Sequence, residues 1–269
     1  MICINPIRVF NSKEGKFDTV PCGKCYACLL SKGHDWYVRL RAEEKVSQRV
    51  DFVTLTYDEK YIPKNDNGVN ELKVNDLQNF FKRLRKKEKI RYFAIGEYGP
   101  LTYRPHYHML IYNLENEENL QKAWPKGFIV RGFVTEYRIR YVSGYMLKKD
   151  IVPRGTVKPF SVMSRRPGIG KPYLDQDMKM YLRSRNDGKM NMNGREYRLP
   201  RYFIDKVFDE PERKRIANIR EEYVKEKFED LIKSLSEKSD RPLKTWSDRI
   251  KFQEELFYKK RKQFKNNQL

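Results

Sequence analysis

The chain has 269 residues, and its 57 Lys and Arg exceed its 36 Asp and Glu by 57 − 36 = 21, far more charge than solubility needs and a pointer to a polyanionic partner. At 39% hydrophobic and 35% charged residues it is too polar for a membrane protein, while 15 Phe, 18 Tyr and 3 Trp supply a core and exclude wholesale disorder. No run of about 18 apolar residues offers a bilayer-spanning helix, and Met1-Ile2-Cys3-Ile4-Asn5-Pro6 lacks the basic patch and apolar core of a secretory signal, so a reducing cytoplasm is the expected location.

Residues 1–48 hold all four cysteines and then a helix-like stretch at 36–43, and are expected to form a Cys-rich N-terminal element with a helix. Phe52-Val53-Thr54-Leu55-Thr56-Tyr57 is β-branched and aromatic and reads as a strand. Leu77, Phe80, Phe81 and Leu84 recur at i, i+3, i+4 and i+7, an amphipathic helix with one buried face. Residues 91–97 and 106–112 read as strands joined by a hairpin loop holding Gly99, Pro100 and Pro105. A short helix near 117–120, a strand at 128–134 and a helix at 141–149 complete a central segment, 49–153. Residues 154–205 read as a basic, loop-rich region packed on that core, and 206–269 as a charged helical appendage. Strands in hairpins beside helices predict an α+β fold with a central antiparallel sheet flanked by helices.

His106 and His108 stand two apart in an apolar strand, so both imidazoles project from one face and Tyr107 from the other. Two neutral imidazoles side by side suit a metal, and Glu97 supplies a harder third ligand if the strands of 91–97 and 106–112 form an antiparallel pair. Taken alone, the pair also fits ordinary sheet histidines. Tyr141 and Tyr145 stand at i, i+4, so on a helix they share one face, with Lys149 a turn further and Lys148 nearby. A phenol attacks phosphorus once a metal withdraws charge from the phosphate, and a lysine on that face neutralises developing charge. Packing of both tyrosines in the core stays open on spacing alone.

Cys22, Cys25 and Cys28 form C-x-x-C-x-x-C, and Cys3 makes a fourth thiolate. Four thiolates suit a closed structural Zn²⁺ site that anchors the N-terminus. Part of an iron–sulfur run, or unliganded packing cysteines, also fit the spacing, and His34 is an alternative ligand to Cys3. Residues 81–91 carry seven positive side chains and one negative. Lys82, Arg83, Arg85, Lys86 and Lys87 there are expected to track phosphates without reading sequence, though a merely solvated helix face fits the same pattern. Arg104 ahead of the histidine strand, and Arg165 and Arg166 beside Gly168 and Gly170, join the expected DNA contacts.

Histidine, hydrophobe, histidine, and then a tyrosine helix with lysine, resembles the HUH endonuclease superfamily. Arg104-Pro105-His106-Tyr107-His108-Met109-Leu110-Ile111 looks like its metal motif and residues 52–57 like its first strand motif. Tyr107 is amphipathic where that motif is aliphatic, and its ring is expected to pack on the far face. Histidines ahead of two tyrosines four apart resemble the two-tyrosine initiators of small single-stranded DNA phages. Val20-Pro21-Cys22-Gly23-Lys24-Cys25, Gly96-Glu97-Tyr98-Gly99, residues 163–170 and Leu199-Pro200-Arg201-Tyr202-Phe203 resemble, more narrowly, replication initiators of gokushovirus-type microviruses.

The resemblance covers most of residues 1–205. It implies an HUH, ferredoxin-like nickase sheet over 49–153, Mg²⁺ or Mn²⁺ on the His and Glu ligands, and rolling-circle replication. One tyrosine nicks origin DNA and keeps the 5′ phosphate, and the second cuts the regenerated junction so that the displaced single strand closes into a circle. A host helicase and polymerase are implied as partners. The rival expectation is a non-catalytic single-stranded nucleic-acid-binding protein with a structural zinc site, which accounts for the charge and the tyrosines but not for His-x-His, Glu97 and the tyrosine–lysine helix together.

Overall fold

The computed structural model describes residues 3, 6–12, 14–144, 152–236 and 255. In chain order its elements are β1 (Ile7–Asn11), β2 (Lys16–Val20), α1 (Tyr26–Lys45), β3 (Val50–Tyr57), α2 (Val74–Leu84), β4 (Arg91–Tyr98), β5 (Pro105–Tyr112), α3 (Glu118–Ala123), β6 (Gly127–Phe133) and α4 (Glu136–Ser143). They continue with β7 (Phe160–Met163), α5 (Gln176–Arg185), β8 (Lys189–Met192), β9 (Arg195–Arg198), α6 (Arg201–Val207) and α7 (Glu210–Ser236). The chain divides into two units, one of Met1–Lys32, Asn186–Gly188 and Phe208–Leu269 and one of Gly33–Arg185 and Lys189–Val207.

The larger unit is built on a five-stranded sheet of order β6-β3-β5-β4-β7, antiparallel throughout. Alternation along the strands gives it two faces. One carries Val53, Leu55, Tyr107, Met109 and Ile111, all fully buried under Leu77, Phe80, Phe81 and Leu84 of α2 and under Leu120, Ala123 and Trp124 at the end of α3. The expected amphipathic stripe of α2 is therefore the stripe that seals this core. Tyr107 reaches the far face as expected: its hydroxyl donates to Lys73 O at 2.9 Å and lies 2.7 Å from Tyr57 Oη. Burial pushes the Tyr107 phenol up to about 12.

The other face carries Thr54, His106, His108 and Glu97 and receives α1 and α4. Tyr112 Oη donates to Leu40 O of α1 at 3.2 Å, and Trp36 packs on Phe93 with ring centroids 4.7 Å apart. The smaller unit holds the β1–β2 hairpin, paired from Ile7↔Val20 to Asn11↔Lys16, the start of α1, and α7.

The expected α+β class, with a helix-flanked antiparallel sheet and an N-terminal Cys cluster, is borne out. Two local expectations differ. The stretch 36–43 is the later part of a 20-residue α1. The helix expected over 141–149 begins earlier, where Thr135 Oγ1 accepts from Arg138 N to cap it, and its span closes at Ser143 with Gly144 as C-cap. Residues 145–151 lie outside the described residues. Short β7, α5, β8, β9 and α6 occupy 154–205, where sparse apolar patterning predicted loops. No helix among the described residues is long and apolar enough to cross a membrane.

Since Leu77 is fully buried against the sheet, Leu77→Ala is expected to lower stability by about 2–5 kcal/mol in urea denaturation. A loss below about 1 kcal/mol would mean that α2 does not seal the core.

Candidate active site

Glu97 of β4 stands directly opposite His106 of β5, and His108 lies between Ile95 of β4 and Thr54 of β3. Cross-strand partners have Cβ atoms about 5 Å apart, so the register alone gathers the two imidazoles and the carboxylate. Their ligand atoms all lie within 4.8 Å of one another, and both Nε2 atoms are 3.4 Å from Glu97 Oε1. An octahedral cation with bonds of about 2.1 Å sets neighbouring ligand atoms about 3 Å apart, so the set fits a small divalent cation with slight contraction.

The outer contacts prepare the imidazoles for that role. His106 Nδ1 faces Arg104 O at 3.1 Å. A carbonyl only accepts, so Nδ1 carries the proton and a neutral ring turns the Nε2 lone pair toward Glu97. His108 Nδ1 lies 2.8 Å from Thr54 Oγ1, and donation to that oxygen gives His108 the same tautomer. Arg104 is held in turn by Glu59 at 2.6 Å and by Tyr57 O.

Glu97 is one of several buried carboxylates, and its surroundings set it apart. Glu43 pairs with Arg91, Asp51 with Arg49 and Arg131, and Glu88 accepts N–H bonds from Glu115, Asn116 and Asn119. Around Glu97 stand two imidazoles and a phenol: Tyr141 Oη donates to Glu97 Oε1. The Tyr141 ring meets His108 edge to face with centroids 5.2 Å apart. Burial, and next the bond to Glu97, push the Tyr141 phenol well above its ordinary range. Tyr141 reaches this position because α4 turns Ile139, Val142 and Ser143 into the protein, and an Arg140–Glu136 pair at 2.6 Å braces its outer side.

The expected site residues therefore fall into groups. Tyr141, His106, His108 and Glu97 share one site, while Tyr145, Lys148 and Lys149 lie outside the described residues. Lys82, Arg85, Lys86, Arg165 and Arg166 line adjoining cavities. Arg83 donates to Ala123 O at 2.8 Å, Lys87 is exposed, and Arg104 serves the histidine strand as above. Thr54 is a site residue missed at the sequence level. Its signal was a polar side chain repeated with Thr56 in an otherwise apolar strand.

In the smaller unit Cys3, Cys22, Cys25 and Cys28 bring their four Sγ atoms within 4.8 Å of one another. Cys25 and Cys3 sulfurs are 3.8 Å apart, Cys22 and Cys28 sulfurs 4.0 Å. Lys24 N and Cys25 N donate to Cys22 Sγ at 3.4 and 3.3 Å and hold that thiol down at about 6, while burial pushes Cys28 up to about 12. His34 bonds Arg198 O at 3.2 Å through Nε2.

The family of replication-associated proteins typified by ORF2 matches residues 50–150, the stretch that contains the site. The chain is 26% identical over 288 residues to replication-associated protein ORF2 of Spiroplasma virus 4, with 87% of each chain covered. It is 29% identical over 251 residues to replication-associated protein VP4 of Bdellovibrio phage phiMH2K, with 76% of each covered. Against replication-associated protein ORF4 of Chlamydia phage 1 it is 26% identical over 218 residues, 69% of this chain and 53% of that one. No solved structure matches the chain. The resemblance to microvirus replication initiators drawn from the motifs is borne out.

Thr54→Val removes the hydroxyl that orients His108. It is expected to weaken Mn²⁺ binding by about 10-fold or more, as outer-shell losses do, read by titration calorimetry. Unchanged affinity would show that His108 needs no such support.

Proposed function

From this likeness to phage replication-associated proteins, we propose that the chain binds phage DNA and starts its rolling-circle replication by nicking one strand with Tyr141. The single observation that carries the reading is the hydrogen bond from Tyr141 Oη to Glu97, whose Oε1 is also 3.4 Å from both histidine Nε2 atoms. A phenol and a two-histidine, one-carboxylate donor set then serve one phosphate.

His106, His108 and Glu97 would hold Mg²⁺ or Mn²⁺, which supplies withdrawal of charge from the phosphate oxygens. Tyr141 Oη forms the bond to phosphorus and the P–O3′ bond breaks. The strand is left with a 3′ hydroxyl to prime synthesis, and its 5′ phosphate stays on Tyr141. Glu97, which already accepts the Tyr141 hydrogen bond, is the first acceptor of the phenol proton. The raised Tyr141 phenol supports a nucleophile that stays protonated until a phosphate arrives. Rejoining reverses the bonds: a 3′ hydroxyl attacks the phosphotyrosine and releases the phenol, and Tyr145, four residues on, is the second nucleophile, with Lys148 and Lys149 neutralising charge on the phosphate.

The test is incubation with circular single-stranded phage DNA and Mn²⁺. A denaturation-stable adduct joined through the DNA 5′ end is expected, lost with chelator and lost in Tyr141→Phe with Tyr145→Phe, while DNA binding persists. Adduct in that double variant would sink the nucleophile assignment. Equal loss of cleavage and binding in His106→Ala would favour a non-catalytic single-strand binder.

The four cysteines are proposed to hold structural Zn²⁺. A tetrahedron with Zn–S bonds of about 2.3 Å has edges of about 3.8 Å, close to the 3.8 and 4.0 Å sulfur separations. A multi-iron cluster spreads its thiolates more widely. Four protein ligands leave no open position, so this ion would anchor and not catalyse. Metal analysis of purified protein is expected to find about one zinc per chain, absent from Cys22→Ala with Cys25→Ala. Iron in its place, or no metal, would overturn the assignment.

A further inference from the structure

A cavity of about 500 Å³ opens at the β7 edge of the sheet, lined by Gln78, Arg85, Tyr92, Ser164, Arg165 and Arg166 among others. A neighbouring one of about 370 Å³ shares Gln78, Arg85 and Tyr92 and adds Lys82 and Lys86. Tyr92 pairs in register with Ile111, so it belongs to the face opposite His106, His108 and Tyr141. Helix α2 and the turn after β7, far apart in sequence, thus build one continuous basic groove.

The groove carries charge of one sign only. Lys82, Arg85, Lys86, Arg165 and Arg166 line it, and no Asp or Glu does. Other arginines of this unit are neutralised, Arg91 by Glu43, Arg104 by Glu59 and Arg131 by Asp51. Among the described residues these five make no ion pair. Gathering like charges raises the free energy of the empty protein, and a ligand carrying several negative charges relieves it.

The groove is also built in advance. Arg85 Nη2 donates to Ser164 Oγ at 3.0 Å, and its guanidinium lies 4.8 Å from the Tyr92 ring centroid. Tyr92 N donates to the same Ser164 oxygen at 3.1 Å. Arg165 and Arg166 stand on a turn closed by an Arg165–Gly168 bridge. Arg91 holds that turn from the sheet, donating to Pro167 O at 3.0 Å and Gly168 O at 3.1 Å. Buried Glu43 accepts from Gly170 N at 2.6 Å while pairing with Arg91. Guanidinium groups fixed this way meet phosphate oxygens with little ordering left to do.

We propose that this groove is a second DNA site, which binds backbone phosphates of a strand segment remote from the one at Tyr141. The proposal rests on the reading that the chain acts on DNA and adds that it grips DNA on both faces of one sheet. A strand held on the far face stays with the protein between nicking and rejoining.

The test measures binding alone, so it stands whether or not Tyr141 nicks. Oligodeoxythymidylates of increasing length are titrated at several salt concentrations by fluorescence anisotropy. In Arg85→Ala/Arg165→Ala/Arg166→Ala the slope of log affinity against log salt is expected to fall by about 2, at about 0.7 per phosphate contact on single strands. The gain in affinity with oligonucleotide length should fall with it. Arg165→Ala/Arg166→Ala, which spares Arg85 and its packing, should lose about 1.4.

A control removing the same charge from exposed positions elsewhere in this unit, Lys122→Ala/Arg201→Ala/Lys206→Ala, should lose less than half as much. An equal loss in the control would overturn the proposal. So would displacement of the oligonucleotide from the native chain by submillimolar nucleoside triphosphate, which would assign the groove to a free nucleotide. If the native chain forms no covalent adduct but the contrast among variants holds, the nicking reading falls and this site remains.

Discussion

The pairing of β4 with β5 in the register Glu97↔His106 is the constraint on which the rest of the larger unit depends. Side chains alternate with period two, so a slip of one residue would turn both imidazoles into the core and Tyr107 out of it. Several contacts hold the register at once. Gly99 N donates to Arg104 O at 3.0 Å and closes the hairpin loop, and the same carbonyl accepts from His106 Nδ1. On the far face the Tyr107 hydroxyl is tied to Lys73 and Tyr57 in a dry core, where an unmade hydrogen bond would be costly. The apolar side of the hairpin thus locks the chemistry on its polar side.

The sheet separates two tasks by face. Tyr141, the histidines and Glu97 share the face that receives α1 and α4, while the arginine groove opens on the α2 face. Adjacent residues of β4 serve both. Arg91 points to the first face and holds the turn that presents Arg165 and Arg166, and Tyr92 points to the other and lines the groove. The buried Glu43 carboxylate links α1 to that turn through Arg91 and Gly170 N. A buried acid is tolerable there because a guanidinium and a peptide N–H both answer it.

The smaller unit rests on a different balance of forces. Ile7, Val9, Phe10 and Phe17 of its hairpin are exposed, so apolar burial contributes little there. Four convergent thiolates are the kind of group that fastens such an element, since metal ligation supplies folding free energy a small core lacks.

Much of this was legible in the linear chain. Alternation along 106–112 set His106 and His108 on one face, the stripe of Leu77, Phe80, Phe81 and Leu84 foretold α2, and the Cys22, Cys25, Cys28 spacing foretold a cluster. These are local patterns, with periods fixed by the backbone geometry of strand and helix. Short β7 and the β8–β9 hairpin escaped notice because four-residue strands carry too few side chains to display a period. Contacts between distant segments were likewise unreadable. That Thr54 orients His108, that Tyr141 meets Glu97 and not merely the core, and that Arg85 and Arg165 face one groove depend on which elements pack together. The sequence by itself determined the residues and the faces they take along each strand and helix; only tertiary structure decided which faces meet, because long-range packing is set by the whole core and leaves no periodic trace in any one segment.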